Sequence, residues 1–204
     1  MNIIKIKEIV KKRIESQDAE MKEHFDKRTH HHIGLVNKYL IKIASLCLPE
    51  IDNDLLLSDS HDASKFEDPE YTPYLHINWK YKLKDEGKTY NPPKEVDRAM
   101  RIASFHHVTH NPHHPEYWDK SWTLEKDSDK KDRDAPSKDK VDATKMPPTY
   151  IAQMIADWTG MDEEKSKNKT GPYSAKNWAD KNVNIRWKFT PQQVELIYRI
   201  IGLI

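Results

Sequence analysis

Eleven histidines stand in a chain of 204 residues that holds a single cysteine, Cys47. If such a chain binds metal, it does so through imidazole and carboxylate. The lone Cys excludes an intramolecular disulfide and a cysteine-based zinc finger. Four groupings carry candidate chemistry. His30, His31 and His32 are consecutive. His61-Asp62 is an adjacent pair able to ligate one metal, or to share two through the carboxylate. Lys65 follows three residues later, where an ammonium can hold a phosphate oxygen as a point charge. Five His fall between positions 106 and 114, in HHVTHNPHH, with Glu116 just beyond. Asp157 lies in YIAQMIADW, on a stripe with Tyr150, Gln153, Met154 and Met161. A carboxylate on an apolar face needs a partner, because burying it unpaired costs several kcal/mol.

Helical phase sorts these residues. His32 shares a stripe with Val36, Tyr39, Leu40 and Ile43, because steps of three and four stay on one face. His30 points away and His31 sits at the boundary. Taken alone, an inward His reads as a hydrogen-bonded core residue; the His61-Asp62 pair and its Lys spacing shift that reading towards a metal site. His107 continues the stripe of Val96, Met100 and Ala103. His106 follows Ala99 and Ile102, also apolar, so the choice between the two stays open, as does that between His113 and His114. Metal-bound imidazoles need an acceptor for their other nitrogen, and Glu116, Asn111 and backbone carbonyls are at hand.

The elements that must position these residues read as helices. Ile3, Ile6, Val10 and Ile14 predict an amphipathic first helix, and Thr29 to Leu48 a second that Pro49 ends. Ser58 or Ser60 is placed to cap a short helix carrying His61 and Asp62. Pro69 to Pro93 reads as aromatic and irregular, either a pocket wall or packing over the bundle end. Lys94 to His107 and Thr149 to Met161 are further helices, Pro148 suiting the first turn of the latter. Thr190, Pro191 and Gln193 spell a capped start to the last, with Val194, Ile197, Tyr198 and Ile201 buried. Glu125–Lys145 is almost entirely charged and reads as a surface insertion outside the core. Lys165–Gly171 is a second polar loop. No period-2 segment of useful length appears. The expectation is one all-α domain over 1–204, a bundle of about six helices by this period.

Composition narrows the partners. No run approaches the ~20 apolar residues that span a bilayer, so no membrane role is expected. Six Trp, nine Tyr and four Phe argue against disorder, and five Gly against a phosphate loop. A net charge of +1 gives no general attraction to nucleic acid. Lys5, Lys7, Lys11, Lys12 and Arg13 cluster but are diluted by Glu8 and Glu15, as on a solvated helix face. Met1–Arg13 lacks the apolar core of a secretory signal. The expected location is the cytoplasm, and a homo-oligomer is compatible with the chain.

The ordered set His32, His61-Asp62 and Asp157 on helices resembles the HD-domain superfamily of metal-dependent phosphohydrolases. The HDASK run is similar to that superfamily's HDxxK form, and His107 with His113/His114 to the extra histidines of its two-metal branches. More narrowly, HDASKFEDPEY, the HHPEYW run and MPPTYIAQMIADWTG resemble a family of small phage and bacterial proteins whose signatures are HDxSKF, NxHHxxYW and MxADW. The motifs match in order from Thr29 to Gly160, and WADKNVNIRWKFTP also resembles that family's C-terminal end. The departures are the long charged stretch and the extra His30, His31 and His110.

The resemblance implies a fold, a site and an activity. The fold is a single-domain helical bundle of the HD type. His32, His61, Asp62 and Asp157 would surround a first divalent transition metal, with Asp62 bridging to a second held by His107 and one or both of His113 and His114. Mn, Fe, Co, Ni or Zn suits such donors, and Mg is compatible. Asp62 and Lys65 would act in catalysis, Lys65 holding the phosphate. His106, Asn111 and Glu116 would lie behind the ligands or contact substrate. The implied reaction is hydrolysis of a phosphoester in a nucleotide or similar small phosphorylated substrate by a metal-activated water. The same ligands also fit a di-iron oxygenase of that superfamily. A closed, structural metal would instead mark a non-enzymatic binding protein.

Overall fold

In the computed structural model the described residues are all but 1–2, 59, 130–134 and 167–170, and the side chains of 3–16 also fall outside them. The expected apolar stripe and basic face of the first thirteen residues therefore lie outside the described side chains. Among the described residues the chain forms an all-α single-domain fold: eight helices and one pair of two-residue strands.

The first two expected helices are one. Helix α1 runs unbroken from Ile3 to Ala44. No proline interrupts it, and its one glycine, Gly34, is exposed. It ends four residues earlier than expected, ahead of a left-handed Cys47 at φ 50°. Met21, Phe25, Thr29, His32, Val36, Tyr39, Leu40 and Ile43 are its buried stripe, spaced three and four residues apart as one helix face demands.

Helix α2 (Asn53–Leu57) is capped by Asp52, which accepts from the Leu55 amide. Ser58 closes α2 instead of opening the next element, and neither serine caps a helix carrying the His-Asp pair. His61 and Asp62 precede a 3-10 turn at Ala63–Phe66, with Asp62 left-handed at φ 61°. Asp is among the few residues that adopt this conformation readily.

The stretch expected to be irregular forms helix α3 (Tyr71–Asp85). Pro73 falls in its first turn, where a missing amide proton breaks no helical hydrogen bond. Helix α4 (Lys94–His110) runs three residues past its expected end and is closed by Asn111. A second 3-10 turn covers Pro115–Trp118.

The charged stretch is less uniform than its composition. Its start lies in helix α5 (Leu124–Ser128). Its end is core: Val141 and Ala143 are buried. Strand β1 (Val141–Asp142) pairs in parallel with β2 (Trp187–Lys188). Two residues are too few to show a period.

Helix α6 (Pro148–Lys165) is buried on nearly all sides from Thr149 to Gly160. Helix α7 spans Lys176–Asn182 and α8 spans Pro191–Leu203. The expected capping box is present: Thr190 accepts from the Gln193 amide, and Gln193 returns to the Thr190 amide. The Gln193 amide group also donates to the carbonyls of Ala143 and Met146, tying α8 to the β1 segment.

Two apolar clusters result. The larger joins the second half of α1 to α6, α8 and the strand segments, through Val36, Leu40, Ile151, Ile155, Trp187 and Ile197. The smaller joins Phe25 of α1 to Tyr74 and Ile77 of α3 and to Met100 and Ala103 of α4. The aromatics of α3 thus pack. Along α1, His32 sits between Phe25 of one cluster and Val36 of the other, so the polar site lies on the seam.

Candidate metal centre

Three helices and two turns deliver the candidate ligands. The α1 stripe brings in His32. The link from α2 into the 3-10 turn presents His61 and Asp62. Helix α4 brings His107, the loop after it His113 and His114, and α6 brings Asp157. His32, His61, Asp62, His107 and His113 are all at most 5% exposed.

Their donor atoms converge in three overlapping groups: His32, His61 and Asp62; His61, His113 and Asp157; and His107, His113 and His114. His32 Nε2 lies 3.1 Å from Asp157 Oδ1 and 3.7 Å from Asp62 Oδ2. His61 Nε2 lies 3.3 Å from His32 Nε2, 3.7 Å from Asp157 Oδ1 and 3.8 Å from Asp62 Oδ2. Donors about one ion at ~2.0–2.1 Å stand roughly 3.0–3.4 Å apart; the His32–Asp157 and His32–His61 spacings fall in that range, and the other three exceed it by a few tenths of an ångström. Asp62 turns its other oxygen away: Oδ1 lies 3.1 Å from His107 Nε2. The rings of His61 and His113 stand 4.3 Å apart, and those of His107 and His114 4.9 Å.

The Nε2 atoms of His113 and His114 are buried with no hydrogen-bond partner. Buried nitrogens normally have one, and a metal ion held by this group would supply it. These donors suit a transition metal.

Electrostatics agree. Burial, and then neighbouring histidine charge, pushes both His113 and His114 well below the ordinary imidazole pKa, which keeps their lone pairs free. Burial also opposes charge on His32, but the neighbouring Asp157 and Glu164 carboxylates outweigh it and raise its pKa. For Asp62, burial is outweighed by Lys65, His61 and His107, and for Asp157 by His32 and His61. Both carboxyls are held well below their usual range.

The structure assigns the remaining expected residues. Between His106 and His107 it selects His107 for the cluster. His106 is 29% exposed and bonds Glu70 at 2.7 Å. Both His113 and His114 face inward. Lys65 Nζ contacts Asp62 Oδ2 and lies 5.2 Å above the Tyr74 ring. Asn111 donates to Ser64 Oγ and to the His107 carbonyl. Glu116 departs from expectation: it is buried but accepts from Trp187 Nε1 at 3.0 Å and Arg186 at 3.4 Å, so it clamps the turn after His114 to the strand segment instead of serving the cluster. His30 and His31 are exposed, His76 bonds Tyr90, and His110 stacks on His106.

Three residues absent from the sequence reading support the ligands. Glu164 Oε2 lies 3.4 Å from His32 Nδ1, and Arg28 Nε holds Glu164 at 2.8 Å. Glu164 follows Asp157 by two helical turns, a spacing that places both on one face, so phase alone could have found it. Glu70 is fully buried and bonds His107 Nδ1 at 2.8 Å; only its place in HDASKFEDPEY hinted at it.

A model for a family of unknown function, DUF5662, matches residues 21–203. No curated protein and no solved structure matches the chain.

Proposed function

The chain belongs to the family of unknown function DUF5662; from the geometry of its cluster we propose that it is a metal-dependent phosphohydrolase of the HD type, acting on a nucleotide or similar small phosphoester. One observation carries the reading: Asp62 directs one oxygen at His32 and His61 and the other at His107, as a carboxylate shared by two ions would. On this reading His32, His61, Asp62 and Asp157 hold one ion, and His107, His113 and His114 with Asp62 hold the other. Mn, Fe, Co, Ni or Zn is the expected metal. Divalent ions held here would supply Lewis acidity and a water activated near neutral pH.

The chain's own side chains do the rest. Lys65 exchanges its contact with Asp62 for a phosphate oxygen and balances charge developing there. Burial of the carboxylates excludes competing water and strengthens each charge contact. Glu164 and Arg28 hold the His32 ring from behind.

The test is phosphate release from a nucleotide and phosphoester panel by protein loaded with Mn, Co or Fe. Turnover that falls in Lys65→Met, with metal content unchanged, supports the reading. No turnover with metal bound overturns it. The nitrogen-rich group of His107, His113 and His114 also suits iron, which favours a di-iron oxygenase as the second reading. Oxygen consumption by the ferrous protein separates the two.

A further inference from the structure

Glu70 stands directly before α3, with its side chain free of any capping bond. Its carboxylate is spent elsewhere. Oε1 accepts from His106 Nδ1 at 2.7 Å, and Oε2 accepts from His107 Nδ1 at 2.8 Å and from Ser64 Oγ at 3.0 Å. Consecutive residues on a helix diverge by about 100°, so two adjacent imidazoles reach one carboxylate only if it lies between their directions. Asn111 Nδ2 comes within 3.1 Å of the same His107 nitrogen but is committed to Ser64 Oγ and the His107 carbonyl. A proton on His107 Nδ1 therefore has Glu70 as its acceptor at 2.8 Å, while Nε2 faces Asp62 at 3.1 Å.

Resting on the two-ion reading above, we infer that Glu70 is the positioning residue for the His107 side of the cluster: it locks His107 with Nε2 as the ligand and holds His106 out of the ligand set. A carboxylate accepts at both oxygens. An amide accepts at one and donates at the other, so Glu70→Gln serves only one of the two rings as Glu does.

The experiment uses the full chain with Co(II) as the probe. In metal-free protein labelled with 15N-histidine, His107 of the wild type shows the Nδ1–H tautomer when neutral. Wild-type protein binds two Co(II). Glu70→Gln keeps the wild-type circular dichroism, binds one Co(II) unchanged, and binds the other about 10- to 100-fold more weakly, with an altered visible spectrum for that ion. His106→Asn keeps both ions. An Nε2–H tautomer for wild-type His107 overturns the inference whether or not Glu70→Gln folds. So does equal affinity of Glu70→Gln for both ions, or loss of an ion in His106→Asn. Failure of the wild type itself to bind Co(II) overturns the two-ion reading and this inference with it, and is seen in the wild type alone.

Discussion

His107 Nε2 meets Asp62 Oδ1 at 3.1 Å while Nδ1 of the same ring is already given to Glu70. One ring thus stands between two carboxylates, one from the 3-10 turn side of the cluster and one from the start of α3. Lys65 already stands against the other oxygen of Asp62, and the five imidazoles and two carboxylates of the cluster are close enough to hold a metal ion.

Glu164 holds His32 from the side away from the cluster. Glu164→Gln keeps the size and removes the charge that orients the ring. Affinity for one ion falls about 10- to 100-fold, measured by calorimetric titration with Zn or Mn, while helix content is unchanged. Wild-type affinity in this variant would show that the contact orients nothing.

Gly160 sets the distance between α1 and α6. A Cβ there meets Val36 Cγ2 at 3.3 Å and the Val36 amide nitrogen at 3.4 Å. Val36 is one turn from His32, and Gly160 three residues from Asp157, so the same approach fixes the 3.1 Å His32–Asp157 contact. Gly160→Val costs about 1–3 kcal/mol by overpacking and weakens metal binding. Gly34, on the exposed side of α1, has nothing within 4 Å of a Cβ; Gly34→Ala stabilises by about 0.5–1 kcal/mol. Urea unfolding reads both, and equal signs for the two would contradict this geometry.

Asp119 joins the turn after His114 to β1 by accepting from the Asp142 amide at 2.9 Å and from the Ser121 amide at 2.9 Å. Burial pushes its pKa up, but these hydrogen bonds outweigh it and hold the carboxyl below its usual range. A depressed folded pKa stabilises the fold above the unfolded value, and the benefit is lost as pH falls through the folded value. Asp119→Ala is therefore less stable than wild type by about 1–2 kcal/mol near neutrality, and the difference shrinks in acid below the ordinary carboxylate range. A gap in melting temperature that stays constant with pH would contradict it.

Much of this was legible in the sequence. The period of α1 placed His32 inside, His30 outside and His31 at the boundary, because a helix face is fixed by spacing alone. The Thr190 capping box was readable because its bonds are local. What escaped depends on contacts distant in sequence. Glu70 is an ordinary acid until α3 and α4 meet, and Glu116 looked like a neighbour of the ligands until Trp187 claimed it. Helix α3 was hidden because its buried Tyr74, Ile77, Asn78 and Trp79 form a crowded, weakly periodic face. Only helix packing decides which of His106 and His107 turns inward.

The most direct test is metal stoichiometry by mass spectrometry, after loading with Mn, Co or Zn and desalting, for the wild type, His61→Ala and Asp62→Ala. The expected result is two ions per chain in the wild type, and loss of both in Asp62→Ala and of at least one in His61→Ala, with helix content preserved. A wild type that retains no ion, or full occupancy in both variants, would contradict it.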